Sequence, residues 1–371
     1  MLGDRRIQRI ETTQVQTRYP RTVGRNARLG SHGTGFATPA VQITLDDGTR
    51  GWGICEGGLP ESLANFEGRD LAELFDPAIG VVAPEAIRLD LALHDVAARA
   101  LGVSVHELLG DHGSSAVDLY SGAIYFDDLD PEDSPRGLNA VLENCAADGA
   151  AGFRAFKLKV GRGHRWMERE AGTARDIEVT RTVREAYPDA RLLVDANNGW
   201  SPEQTIAFLE QVADCDLYWI EEPFHEEASG LRLLRDYLRE SGSRTLIADG
   251  EADPDEAQLL DLARAGLIDV MLMDVCSYGL TAWRRVMPLL AELGVAGSPH
   301  AWGKPIKTLY AAQLAAGLGN VAIVEGVPGT TDGADTSRYA LREGVLHVPA
   351  GPGFDLDLTA ATAPATTLQG A

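Results

Sequence analysis

A chain of 371 residues with 44% hydrophobic and 24% charged side chains can bury two domains, or one barrel with additions. Fifty-five acidic against 33 basic residues leave a formal charge of −22. A surface that negative repels phosphate backbones and anionic lipid, so neither nucleic acid nor membrane is an expected partner. There is no apolar run of about 18 residues and no charged-then-apolar start. Cys55, Cys145, Cys215 and Cys276 stand singly, without CxxC spacing. They read as reduced thiols, and a cytoplasmic protein is expected.

In chain order, "IETTQVQTRY" and "TPAVQITLDD" alternate as strands, and Asp47-Gly48 is a hairpin signal leading into "TRGWGICEGG". Between them, "PRTVGRNARLGSHGTGF" is polar and rich in Gly and Arg, and is expected to be an exposed, mobile loop. Residues 61 to about 110 read as helical. "APEAIRLDLALHDVAARALG" spaces Ile87, Leu91, Ala98 and Leu101 for a helix that Gly102 would cap.

From about residue 116, short β-branched runs alternate with amphipathic stretches: "VDLYSGAIY", "AFKLKV", "LLVDAN", "YWIEEP", "TLIADGE", "VMLMDV", "VAGSPH" and "VAIVEG". Eight βα units in this length point to α/β architecture, a closed (β/α)8 barrel of the TIM type. "LREGVLHVPAGPGF" reads as a return strand and turn, and "TAATAPATTLQGA" as a disordered tail. The expected division is an α+β N-terminal capping domain over 1–115, the barrel over 116–345, and a segment over 346–371 returning to the cap.

Barrel enzymes place their chemistry at the carboxyl ends of the strands. Here those ends carry Lys157 and Lys159, Asp195 and Asn197, Glu221 and Glu222, Asp249 and Glu251, Asp274, His300 and Glu325. Any one of these would pass as a solvated strand end. Together they are too costly to gather without a use, since buried charges must be paired or metal-bound. Residues two apart share a strand face, which pairs Lys157 with Lys159 and Asp249 with Glu251. Asp195, Glu221 and Glu251 on adjacent strands make an all-oxygen site for a hard divalent cation, by default Mg²⁺. Lys157 and the cation are expected to lower the Lys159 ammonium enough for a general base. Asp274 can hold His300 in one tautomer. Two bases flanking a cation suggest removal of the proton α to a carboxylate, with the metal stabilising the enediolate.

With those residues in view, the chain resembles the enolase superfamily, specifically its mandelate racemase subgroup. The resemblance runs through "RLDLALHDVAARALGVSVHELLG", "FKLKVGRG", "LLVDANNGW", "WIEEP", "IADGE", "MLMDVCSYGLT", "SPHAWG" and "GVLHVPAGPGF". It implies that superfamily's modified barrel with a capping domain. It makes Lys159 a base with Lys157 its partner, Asp195, Glu221 and Glu251 the Mg²⁺ ligands with Asp249 in reserve, and Asp274–His300 the second base. Glu325 matches an acid that hydrogen-bonds a substrate carboxylate oxygen, and Asn197 a substrate contact. Muconate-lactonising and dipeptide-epimerising branches carry a lysine near the end of the sixth strand, where this chain has Asp274.

The resemblance thus implies an acid-sugar dehydratase, a hydro-lyase acting on an aldonate, aldarate or uronate and forming a 2-keto-3-deoxy acid. The alternative is a racemase or epimerase using both bases for 1,1-proton transfer. A homo-oligomer is expected. Substrate contacts are assigned to Arg25 and His32 of the polar loop, whose Arg18, Arg21, Arg25 and Arg28 supply local positive charge, and to Trp302. A barrel glycosidase is the rival enzyme, but His300 stands where its nucleophile would lie. A non-catalytic binding protein is disfavoured because every catalytic position is filled.

Overall fold

The computed structural model describes residues 2–359. The tail read as disordered lies outside these residues, apart from Thr359. Strands β1 (Ile7–Val23), β2 (Gly33–Leu45) and β3 (Arg50–Ile54) form an antiparallel meander, with Gly48 at φ 86° in the turn between β2 and β3. Much of the supposed loop is therefore strand, and only residues 24–32 connect β1 to β2. Helix α1 (Asp90–Leu101) packs on β3 and ends at Gly102 in the left-handed region. That packing needs glycine on the strand: a Cβ on Gly53 would meet Leu91 Cβ at 2.6 Å. Leu91 and Ala98 are buried as the spacing predicts, whereas Ile87 lies in a 3-10 turn before the helix and is 45% exposed.

The eight predicted runs become eight parallel strands. They are β4 (Ala116–Ile124), β5 (Ala155–Lys159), β6 (Arg191–Asp195), β7 (Trp219–Glu221), β8 (Leu246–Asp249), β9 (Val270–Met271), β10 (Ala296–Gly297) and β11 (Val324–Gly326). Each pairs with the next from β4 to β10, β11 pairs with β4, and a bridge between Gly297 and Val321 closes the ring. Tyr120, Ala155, Leu193, Trp219, Ala248, Val270, Leu272 and Ile323 pack together as one buried cluster, contributed by strands β4 to β9 and by residues adjoining β9 and β11. This apolar floor makes the barrel a core rather than a pore and confines the chemistry to the mouth above it.

Helices follow the first seven strands, but β11 leads, among the described residues, into strands instead. The first of these, β12 (Thr330–Asp332), joins the N-terminal sheet beside β1, pairing Thr17 with Thr331. Strand β13 (Val345–His347) pairs antiparallel with the start of β4. Residues 354–357 then return to the cap, where Phe354 N–H donates to Asp95, Leu356 O accepts from Trp52 Nε1, and Asp357 pairs with Arg99. The chain thus crosses between the two parts more often than a division at 115 and 345 implies.

Candidate active site

Parallel register places the ionisable residues on one level. Lys159 stands opposite Asp195, and Asp195 opposite Glu221, on neighbouring strands. Glu221 is in register with Ala248, a residue of the inner cluster, so Asp249 points away from the barrel axis. The expected shared face of Asp249 and Glu251 is therefore wrong. Gly250, at φ 107°, breaks the alternation and turns Glu251 back to the mouth. Ligand atoms of Asp195, Glu221 and Glu251 lie within 4.8 Å of one another, and Asp249 is not in that group. The Asp249 carboxyl is buried, accepts from Gly250 N–H, and is pushed well above the usual range by burial and then by Glu226 and Glu222.

The bases stand against these acids. Lys157 Nζ lies 2.5 Å from Glu221 Oε1, 2.9 Å from Glu325 Oε1 and 3.3 Å from Asp195 Oδ2. Lys159 Nζ donates to Asp195 Oδ2. Burial opposes the Lys159 ammonium, and Lys157 adds to that, but Asp195, Glu251 and Glu221 together hold it above the ordinary lysine value. Among the protein's own charges these carboxylates outweigh the like charge of Lys157, and the expected lowering depends on a cation held by the same carboxylates. His300 Nδ1 lies 3.0 Å from Asp274 Oδ2, and its Nε2 lies 3.1 Å from Glu251 Oε1 and 3.6 Å from Glu325 Oε2. The Nε2 approaches are ion pairs without hydrogen-bond alignment. Burial opposes the imidazolium, yet Glu251, Glu325 and Asp274 lift it to about 10. Glu325 accepts from Ala301 N–H at 3.0 Å, in space left by Gly122, where a Cβ would meet Glu325 Oε1 at 2.5 Å.

Three residues that sequence reasoning passed over belong to the same neighbourhood. Lys307, buried in the first turn of the helix after β10, donates to Asp274 Oδ2 and lies 3.3 Å from Glu56 of the cap. Glu56 also accepts from Lys304 at 2.5 Å. Glu56, Asp274 and Cys276 form a second close group of ligand-type atoms, but Lys304, Lys307 and His300 already neutralise its carboxylates. Tyr125, one residue beyond β4, places its ring 5.3 Å from Lys159 Nζ.

The loop arginines do not reach the reacting groups. Arg25 is clasped by Asp130 and by Glu132 at 2.9 Å, and its guanidinium stacks on Trp166. Arg28 donates to the carbonyls of Asn197 and Asn198, both at 2.7 Å. Arg21 pairs with Asp148, and Arg18 with Asp332. The first half of the 24–32 segment is latched, since Asn26 O accepts from Trp166 Nε1 and Ala27 is fully buried, whereas residues 28–31 are exposed as expected. The partners lie more than 100 residues away in sequence, which is why the loop reads as free. His32 does stand at the site, 5.0 Å from the Tyr125 ring, as does Trp302 at the same separation. Asn197, at φ 45°, keeps its Oδ1 buried without a protein partner.

The donor set is all carboxylate oxygen, and Glu251 Oε2 is buried without a hydrogen-bond partner, which fits a hard divalent cation at Asp195, Glu221 and Glu251. The sequence profile of the enolase C-terminal domain-like family matches residues 140–362. D-galactarolactone cycloisomerase of Agrobacterium fabrum is 29% identical over 354 residues, covering 86% of this chain and 88% of that protein. A crystal structure of galacturonate dehydratase from a Geobacillus species, complexed with D-galacturonate and 5-keto-4-deoxy-D-galacturonate, is 32% identical. It superposes with a TM-score of 0.90 over 96% of this chain and 95% of that one. A mutant of the Geobacillus enzyme, complexed with Mg, is 31% identical at TM-score 0.90, over 96% and 93% of the two chains.

Proposed function

The chain belongs to the enolase C-terminal domain-like family, and on that premise we propose that it is a hydro-lyase of sugar acids. A base removes the proton α to the carboxylate, and the β-hydroxyl leaves as water, giving an α-keto, β-deoxy acid. The carrying observation is that Lys159 and His300 both stand against the Asp195, Glu221 and Glu251 cluster from opposite sides of the strand order. Mg²⁺ held by those three carboxylates supplies Lewis-acid stabilisation of negative charge developing on the substrate carboxylate. Lys159 Nζ accepts the α-proton after giving up a proton of its own, and Lys157 keeps the surrounding charge positive. His300, held by Asp274, gives its Nε2 proton to the departing hydroxyl. Glu325 steadies the substrate carboxylate. Asn197, His32 and Trp302 contact the sugar chain.

The same two bases favour a second reading, racemisation or epimerisation, in which one removes the proton and the other returns it to the opposite face. Among the described residues no helix is long and apolar enough to cross a membrane. A cytoplasmic homo-oligomer is part of this proposal. The test is a panel of aldonic, aldaric and uronic acids assayed with semicarbazide in the presence of Mg²⁺. A keto product that disappears on chelation with EDTA and returns with Mg²⁺ supports the dehydratase. Exchange of the α-hydrogen in D₂O without a keto product supports the racemase. Neither response from any acid overturns the assignment.

A further inference from the structure

The polar atoms at the mouth fall into two sets on opposite sides. Strands β6, β7 and the turn after β8 carry the acids. Across from them, Tyr125 after β4, His32 from the cap and Trp302 after β10 form an aromatic wall, with Tyr19 stacked on Trp302 at 6.0 Å. Tyr125 is 1% exposed and its hydroxyl has no protein partner, nor does the buried Trp302 Nε1. Orphaned groups of this kind are costly to bury unless something else meets them. His32 gives its Nδ1 side to Gly24 O, and burial, reinforced by Lys159, keeps the ring below its ordinary pKa. The wall therefore offers a hydroxyl, an indole N–H and an uncharged imidazole. The nearby loop cations Arg18, Arg21, Arg25 and Arg28 are each committed to carboxylates or carbonyls.

We infer that Tyr125 and Trp302, with His32, are the specificity determinant for the end of the substrate remote from the reacting carboxylate, and that this end is uncharged. The substrate is then a sugar acid with one carboxylate and a hydroxyl, aldehyde or lactone terminus, rather than a diacid. A second carboxylate placed against this wall would exchange water for one hydroxyl and one indole, and Lys159, 5.3 Å from the Tyr125 ring, is already paired with Asp195. Polar groups built to bond a neutral terminus also discriminate more sharply than apolar surface does.

This inference rests on the dehydratase reading, and the test separates the two. D-Galacturonate and L-galactonate present one configuration from the carboxylate, D-galactonate presents its mirror image, and galactarate, being meso, presents one from each end, so kcat/KM for keto-acid formation is compared between each monoacid and galactarate. The better monoacid is expected to exceed its diacid at least tenfold. Tyr125→Phe and Trp302→Phe keep the aromatic packing, so folding is not at risk. Each is expected to raise KM for the monoacid fivefold or more, with a smaller change in kcat and a narrower mono- to diacid ratio. A diacid that matches or exceeds its monoacid, or unchanged KM in both variants, overturns the inference and leaves the dehydratase standing. No turnover of any acid overturns both.

Discussion

Two clusters of charge, one fully buried and one buried except where it opens to the mouth, lie within a few residues of each other, and they are built on opposite rules. Arg162, just past β5, is enclosed by Asp128 and Asp176. Its Nη2 lies 2.7 Å from Asp128 and its Nη1 2.7 Å from Asp176, while Nη1 also reaches the Lys159 carbonyl at 3.2 Å. Asp176 accepts in addition from the backbone N–H groups of Gly161 and Arg162. No side-chain atom of this trio is left unpartnered. At the mouth, by contrast, Glu251, Glu325, His300, Asn197 and Tyr125 each keep a buried polar atom without a hydrogen bond. Burial and charge are common to both clusters. What separates a structural network from a reactive one is whether the protein has satisfied its own polar groups or left them for something else.

The largest expected effect tests the unsatisfied cluster. Lys159→Ala and His300→Asn should each lower turnover of the true substrate by about 10³-fold or more, within the usual span for a lost acid or base. Asp195 keeps Lys157 as a neighbour at 3.3 Å, so the Lys159 variant should stay folded, read by circular dichroism. A variant with full rate removes that residue from the mechanism. Arg162→Met should do the reverse. It strands two buried carboxylates and is expected to cost about 3–5 kcal/mol in urea unfolding. The kcat per folded molecule should fall less than tenfold, and a larger loss without destabilisation would erase the contrast.

Next in size is a pH effect within the satisfied cluster. Burial lifts Asp176 to about 6, outweighing the pull of Arg162. An acid raised on folding binds its proton more tightly in the native state, so its contribution is complete below about pH 4 and is lost as pH rises through about 6. One such group gives a slope of at most about 1.4 kcal/mol per pH unit. Between pH 4 and 6, wild-type stability should decline more steeply with pH than that of Asp176→Asn, and equal slopes would refute the assignment. The smallest effect is expected at the latch. Arg25→Ala should cost about 1 kcal/mol, as partly exposed ion pairs do, and change KM less than threefold. A tenfold rise in KM would put the guanidinium on the substrate after all.

How much of this could be read from the chain depends on distance along it. The barrel was legible because each βα unit is local, and Lys157-x-Lys159 because a strand's period of two is local as well. The ligand choice between Asp249 and Glu251 turned on Gly250, whose backbone angle defeats the period-two rule. Arg25, Lys307 and Glu56 were misread or missed for a different reason. Their partners sit 105, 33 and 248 residues away, in segments no pattern links. Tyr125 closes an apolar run and looks like ordinary core, and only the lack of a partner for its hydroxyl marks it out.

The strand Thr330–Asp332, which completes the cap sheet against β1, carries a consequence for biosynthesis. The ribosome must deliver the whole barrel after β1 before that strand gains its outer neighbour at Thr330–Asp332. Until then β1 emerges with one edge bare, open to pairing with a sister chain. Completion of the cap therefore waits on a segment made long after β1, and a product truncated before residue 330 is expected to leave residues 16–18 of β1 open to association.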